Sequence, residues 1–261
     1  MKLERQNATI EVLDEGPEDG PVVVFANSLG TALSLWDKLC ERLPSSLRRV
    51  RFDLRGHGGS SVPDEPFGIE DLVGDAEGVM DALGIKDAAF VGLSIGGMIA
   101  QGLASKRPDL VRVAVFSNTA AKIGDPDLWN DRIRAIEAQG LEGIADGVME
   151  RWFGEDFRAT DEVKYWRQML VDTDPQGYIG CCRAIAGADL RESTAALRLP
   201  VLGIAGTADL STPPDVVRET VATIPGSRFE VIEGAGHLPC VEAPDLYANL
   251  IMSFLKETDY V

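Results

Sequence analysis

The sequence predicts an α/β fold: a mostly parallel central sheet flanked by helices, with a helical insertion late in the chain. Three observations carry this. Strand-like and helix-like stretches alternate through the first half, the pattern of parallel sheets with crossover helices. A serine stands between paired glycines at a strand-to-helix corner, in Gly92-Leu-Ser94-Ile-Gly96. From Lys122 to Asp189 the strand signals vanish and only helical patterns remain. Residues 1–121 and 190–261 therefore read as one core, and 122–189 as a cap inserted within the same domain.

Taken in order, Ala8 to Leu13 alternates as a strand and Gly16 to Gly20 is a turn cluster. Pro21 to Ala26 is a continuous apolar run, suited to a strand buried on both faces. Asn27-Ser-Leu-Gly-Thr31 follows it, and Ala32 to Leu43 carries a helical pattern. Arg48 to Leu54 is the next strand and runs into the turn Arg55-Gly-His-Gly-Gly-Ser60. Ile69 to Leu83 is an amphipathic helix closed by Gly84. The elbow strand from Asp87, a helix to Arg107 and a strand over Val111 to Ser117 complete the first half. Four helices are expected in the cap: Asp127 to Gln139, Leu141 to Trp152, Asp161 to Leu170 and Pro175 to Ile185. Pro200 to Gly206 and Arg228 to Ile232 restore strands, alternating with helices over Pro213 to Ile224 and Ala243 to Leu255. The tail from Lys256 to Val261 is expected to fray.

Composition bounds the partners. The net charge of -17 argues against nucleic acid and anionic membranes. No apolar run is as long as a membrane span, and the Met1-Lys-Leu-Glu-Arg start has no apolar segment of the secretory kind. The four cysteines, Cys40, Cys181, Cys182 and Cys240, show no metal-ligand spacing, and reduced thiols in the cytoplasm are expected. No metal, cofactor or phosphate-binding glycine loop is expected either, and the oligomeric state is open.

The chemistry is expected where parallel strands end, because ligands bind at that edge. Asn27, Asp53, Ser94 and Asn118 all sit at such ends. Glycines flanking Ser94 permit a turn so tight that the hydroxyl stands clear of the sheet at a helix N-terminus. A serine hydroxyl needs a base. Only two histidines exist. His57 lies in a tight turn and reads as a support for it. His237, in the glycine-rich loop after the last strand, reads as the base. Asp209 follows the strand ending at Gly206 and reads as the acid that orients the imidazole, although an aspartate before Pro213-Pro214 is also a natural turn or cap residue. The order Ser94, Asp209, His237 supports the acid reading, and Asn118 at the preceding strand end carries no charge. Oxyanion donors are expected from the backbone N–H groups of Ile95 and Leu29.

The elbow, the Asp53-Leu-Arg-Gly-His-Gly-Gly-Ser60 turn, the helical insertion and the late Asp and His together resemble the α/β-hydrolase superfamily over nearly the full length. More narrowly, several strings resemble 3-oxoadipate enol-lactonases of the β-ketoadipate pathway. They are Phe25-Ala-Asn-Ser-Leu-Gly-Thr31, Gly92-Leu-Ser-Ile-Gly-Gly-Met98, Ser117-Asn-Thr-Ala-Ala-Lys-Ile-Gly124, Ile204-Ala-Gly-Thr207, Glu150-Arg-Trp-Phe153 and Gly177-Tyr with Cys181-Cys-Arg-Ala184. Asn27-Ser28 replaces the His-Gly of many superfamily members and matches the narrower group.

The resemblance implies a serine hydrolase that opens an enol-lactone bearing a free carboxylate. So acidic a chain needs locally placed cations to hold such a substrate. Lys122, Arg132, Arg134, Arg151 and Arg183 lie in the cap, each also an ordinary solvated helix residue by position. At least one of them, or a cap backbone donor, is expected to pair with the carboxylate, with Trp129 as an apolar wall and Ser28, Lys122 and Arg132 among the substrate-binding residues. A general carboxylesterase, a cofactor-free perhydrolase and a slow-turnover small-molecule receptor share these core motifs.

Overall fold

Strands in this chain are built from short β-branched and apolar runs, and they assemble into one eight-stranded sheet in the order β1-β2-β4-β3-β5-β6-β7-β8. The computed structural model describes residues Met1–Val261. The strands are β1 (Lys2–Arg5), β2 (Ala8–Glu15), β3 (Val22–Ala26), β4 (Arg48–Phe52), β5 (Ala88–Leu93), β6 (Val111–Ser117), β7 (Val201–Gly206) and β8 (Arg228–Ile232). β1 and β2 pair antiparallel, as do β2 and β4. Every other pairing is parallel. β5 and β7 are buried along their whole length, as befits strands covered on both faces.

After β3 a 3₁₀ turn (Leu33–Trp36) leads into α1 (Asp37–Cys40), and α2 (Ile69–Ala82) and α3 (Ile95–Lys106) follow β4 and β5. Between β6 and β7 the chain is helical only: α4 (Pro126–Gln139), α5 (Glu142–Trp152), α6 (Glu155–Arg158), α7 (Val163–Asp172), α8 (Pro175–Gly187) and α9 (Arg191–Ala195). The fold closes with α10 (Pro214–Ala222), α11 (Pro239–Glu242) and α12 (Pro244–Glu257). Asp125 and Asp174 cap α4 and α8 through their carboxylates, each followed by a proline in the first helical turn. α4 packs on α8 and α5, and α5 on α7. One continuous hydrophobic cluster runs from sheet to inserted helices, including Phe25, Trp36, Phe116, Trp152 and Leu170.

Two local expectations are corrected, and one strand is added. The stretch Ala32 to Leu43 is not one helix. Its first turn is 3₁₀, which brings the Trp36 indole N–H to Asn27 Oδ1 at 2.7 Å while the Leu33 N–H donates to Asp53. Lys2–Arg5 is a strand, paired with β2 across a two-residue turn whose Asn7 has φ 61°. The tail does not fray. The Tyr260 hydroxyl donates to the Val22 carbonyl at 2.6 Å and its ring lies under the Arg112 guanidinium.

Candidate active site

Ser94 occupies the corner between β5 and α3 at φ 59° and ψ −120°, a strained conformation for a residue with a side chain. The glycines around it are sterically required. A Cβ on Gly92 would lie 2.1 Å from the Gly96 carbonyl oxygen, and one on Gly96 would lie 2.1 Å from that of Ala26. Neighbouring bonds lock the corner: Ser94 N–H donates to Ser117 O at 3.0 Å, and the Thr119 hydroxyl donates to Ser94 O at 2.6 Å. The serine thus caps the N-terminus of a twelve-residue helix, where the helix dipole favours negative charge.

Asp209 lies in the turn after β7 and is 2% exposed. One carboxylate oxygen, Oδ1, accepts from the N–H groups of Ser211 and Thr212 at 2.7 and 3.1 Å. The other, Oδ2, accepts from Asn118 Nδ2 at 2.9 Å, the Thr212 hydroxyl at 2.8 Å and His237 Nδ1 at 2.8 Å. Burial works to raise this carboxyl's pKa, but the imidazole charge and the hydrogen bonds of His237, Asn118 and Ser211 outweigh it and hold it at about 2. An acid that stays ionised in the interior can fix the imidazole tautomer and stabilise an imidazolium.

His237 sits in the loop after β8, with its ring buried against Asp209. Its N–H donates to the Trp152 carbonyl at 2.7 Å, so the loop is tied to the end of α5. Glu242 reinforces the tie by accepting from the N–H groups of Gly154 and Gly236 at 2.9 and 2.6 Å. Burial pushes the Glu242 carboxyl up to about 7 against those two donors. Ser94 and His237 line the same cavity, but no hydrogen bond joins the Ser94 hydroxyl to the ring. A serine hydroxyl swings on one χ1 bond, and such contacts commonly tighten only around substrate.

The cavity measures about 80 Å³, room for a small molecule rather than a polymer. Ser28, Leu29, Ser94 and His237 form one side, and Trp129, Val148 and Trp152 supply apolar walls from the inserted helices. The N–H groups of Leu29 and Ile95 have no protein acceptor, as expected of oxyanion donors. The Ser28 hydroxyl is buried without a partner. Trp129 anchors its indole by donating to Ile123 O at 2.7 Å.

The five expected cations separate cleanly. Arg132 and Arg151 line the cavity, and neither joins an ion pair; Arg132 donates only to the Tyr178 hydroxyl at 3.2 Å. Lys122 instead faces Asp189 at 3.5 Å, away from the cavity. Arg134 pairs with Asp131 on the exposed face of α4, since two residues along a helix turn a side chain to the far side. Arg183 is exposed. Asn118, Thr212, Tyr178 and Glu242 were not singled out as site residues from sequence. Asn118 carries a signal in its place at a strand end, and Tyr178 in the Gly177-Tyr string; Thr212 and Glu242 carry none. No cluster of His, Cys, Asp and Glu suited to a metal is present, and no helix is long and apolar enough to cross a membrane. All four cysteines are buried and unpaired.

This fold is shared with known proteins. A profile of the alpha/beta hydrolase fold family matches residues 21–244. The chain belongs to the α/β-hydrolase family and is an enzyme of the hydrolase class. Within that family it is 37% identical to 3-oxoadipate enol-lactonase 1 of Acinetobacter baylyi, over 98% of this chain and 96% of the relative. It also superposes on the crystal structure of an enol-lactonase from Burkholderia xenovorans LB400 with a TM-score of 0.94 and 35% identity, covering 98% of this chain and 100% of the other. A thermophilic esterase from Thermogutta terrifontis, solved with malate bound, gives a TM-score of 0.90 at 29% identity, covering 96% and 94%.

Proposed function

We propose that this enzyme opens the ring of 3-oxoadipate enol-lactone to give 3-oxoadipate, in aromatic catabolism. The observation that carries the reading is the pair of guanidiniums, Arg132 and Arg151, left without carboxylate partners beside the cavity that holds Ser94. In a chain with 42 acidic and 25 basic residues, two unpaired arginines at one cavity favour a small ligand with a free carboxylate. Residues 122–189 act as the cap that supplies them, together with the Trp129 wall, and Ser28 contributes to the opposite side.

Ser94 Oγ attacks the lactone carbonyl carbon while His237 Nε2 takes its proton, and Asp209 stabilises the imidazolium. The N–H groups of Ile95 and Leu29 hold the tetrahedral oxyanion. The ring C–O bond then breaks. The leaving enol oxygen takes the proton from His237 and stays tethered to the acyl chain. Water gives a proton to His237 and attacks the acyl ester; the bond to Ser94 Oγ breaks, His237 returns the proton to Oγ, the carboxylic acid leaves, and the enol relaxes to the ketone. None of these steps requires a cofactor. The buried thiols and acidic surface suit a cytoplasmic enzyme acting on a small molecule, without nucleic acid or membrane.

A substrate panel tests the proposal: the enol-lactone, short p-nitrophenyl esters, and peroxide with acetate. A kcat/KM for the lactone orders of magnitude above the others is expected. Preference for simple esters overturns the lactonase reading in favour of a carboxylesterase. Replacing Arg132 and Arg151 by Gln, singly and together, is expected to raise KM for the lactone by about 10- to 100-fold, the range of a charge-assisted hydrogen bond. An unchanged KM in all three variants removes the carboxylate-binding role.

A further inference from the structure

We propose that His57 is a positioning residue for the oxyanion loop, holding the Leu29–Gly30 peptide in place as a neutral hydrogen-bond acceptor. The inference rests on the reading of Leu29 N–H as an oxyanion donor. His57 is 1% exposed and lies outside the Asp209–His237 pair. Its Nδ1 stands 3.0 Å from the Arg55 carbonyl oxygen, which can only accept, so Nδ1 carries the proton. Nε2 is then a lone pair, and it accepts the Gly30 N–H at 3.0 Å.

That bond acts where orientation matters. The Gly30 N–H belongs to the peptide unit joining it to Leu29, so fixing its direction fixes the backbone immediately after the donor N–H. Gly30 itself sits at φ +78°, off the regular path of the chain. The loop is also held at Asn27, whose amide donates to Phe52 O at 3.0 Å and accepts from Trp36 Nε1 at 2.7 Å, and at Ser28 O, which accepts from the Thr31 N–H and hydroxyl at 3.2 and 2.8 Å. Ser28 O shares its peptide unit with the Leu29 N–H, so Thr31 holds the donor from one side and the His57–Gly30 bond holds Leu29 from the other. The histidine is itself rigidly mounted. Arg55 makes a two-pronged contact with Asp75 at 2.6 and 2.9 Å, and Gly59 N–H donates to Asp53 at 2.8 Å. Gly56 abuts Gly177 of α8 so closely that a Cβ on Gly56 would lie 2.3 Å from the Gly177 Cα. The ring also stacks on Tyr178, centroids 6.4 Å apart. Preorganised oxyanion donors act through orientation, so a residue that never touches substrate can still govern kcat.

The test separates this role from simple packing. His57→Phe keeps the ring and its stack on Tyr178 but has no acceptor. His57→Gln restores an oxygen acceptor near the Nε2 position. With p-nitrophenyl acetate and the enol-lactone, His57→Phe is expected to lower kcat by about 10- to 100-fold, less than the loss of a whole donor, with KM within about twofold. His57→Gln is expected to recover most of that loss. Unchanged kcat in His57→Phe, or a folded His57→Gln no better than His57→Phe, overturns the proposal. Imidazole ¹⁵N shifts of the wild-type protein at pH 7 give a readout that needs no variant. With only two histidines to assign, a neutral Nδ1–H tautomer for His57 is expected, and an Nε2–H tautomer or an imidazolium overturns the proposal. Absence of Ser94-dependent turnover in the wild type defeats the hydrolytic reading instead, and the tautomer still decides whether the Gly30 bond exists.

Discussion

The two histidines of this chain are buried alike, His57 at 1% and His237 at 2% exposure, and both stand on turns beyond the carboxyl ends of strands. What lies behind each ring differs. His237 Nδ1 faces the Asp209 carboxylate at 2.8 Å, whereas His57 Nδ1 faces only the Arg55 carbonyl at 3.0 Å. Burial alone disfavours an imidazolium, and it lowers the His57 pKa to about 4. His237 instead has the ionised Asp209 carboxylate against its ring. Depth therefore does not distinguish the proposed base from the proposed acceptor. The charge behind the ring does.

Substitution at Ser94 or His237, the proposed nucleophile and base, should break the comparison most visibly. His237→Ala and Ser94→Ala are each expected to lower kcat by about 10⁴- to 10⁶-fold, measured on the lactone, while circular dichroism and melting stay near wild type. His57→Ala should fall far short of that. A reversal, with His57→Ala inactive and His237→Ala active, would exchange the two roles.

Asp209→Asn isolates the charge. The amide keeps the volume and several donors' acceptor, but presents no negative charge to an imidazolium and can invert the tautomer. A kcat loss of about 10⁴-fold is expected, by the physics of a serine triad. A loss below about tenfold would mean that geometry rather than charge separates His237 from His57.

Much of this contrast was legible in the sequence, for specific reasons. Gly92 and Gly96 are dictated by backbone oxygens 2.1 Å from any added Cβ, so the elbow is written in residue types. Asp209 and His237 follow from chain order. What resisted reading depends on long-range contact. Glu242 looks like an ordinary residue of a short helix until Gly154 and Gly236 are seen to donate to it. Arg132 and Arg134 are alike in sequence, and only the face of α4 turned to the cavity separates them. Helical periodicity marks Ile133 and Ile136 as buried but says nothing of what lies opposite. The β1 strand alternates weakly at a sheet edge, with Leu3 its only apolar residue. The tail is held by a bond from Tyr260 to Val22, a partner 238 residues away.

The pH dependence of stability sharpens the comparison from the other histidine. His57 has a folded pKa of about 4 against 6.5 unfolded. Its contribution is complete above pH 6.5 and is lost as pH falls towards 4, because the unfolded chain takes a proton that the folded chain refuses. Glu242 and Asp53, raised by burial to about 7 and about 6, run the other way: folding favours their protonated forms as pH falls. The wild-type profile mixes these trends, so the difference from His57→Gln is the informative quantity. Urea unfolding at pH 7 and 4.5 should show the variant gaining on wild type by an amount on the order of 2 kcal/mol at the lower pH. Parallel profiles would mean that folded His57 accepts a proton as readily as the unfolded chain.

The smallest effect expected is also the most discriminating about the acid. The Thr212 hydroxyl lies 2.8 Å from Asp209 Oδ2 and 3.3 Å from His237 Nδ1, close enough to be mistaken for part of the relay. Its loss leaves Asp209 with donors from Ser211, the Thr212 backbone, Asn118 and His237. Such redundancy contrasts with His57 Nε2, whose one donor is Gly30. Thr212→Val, nearly isosteric, should therefore cost about 1 kcal/mol, a kcat reduction of less than about tenfold at unchanged KM. If Thr212→Val instead matched Asp209→Asn, the hydroxyl would be holding the ring in place. The distinction between the two histidines would then lie in a neutral hydrogen bond and not in the buried charge.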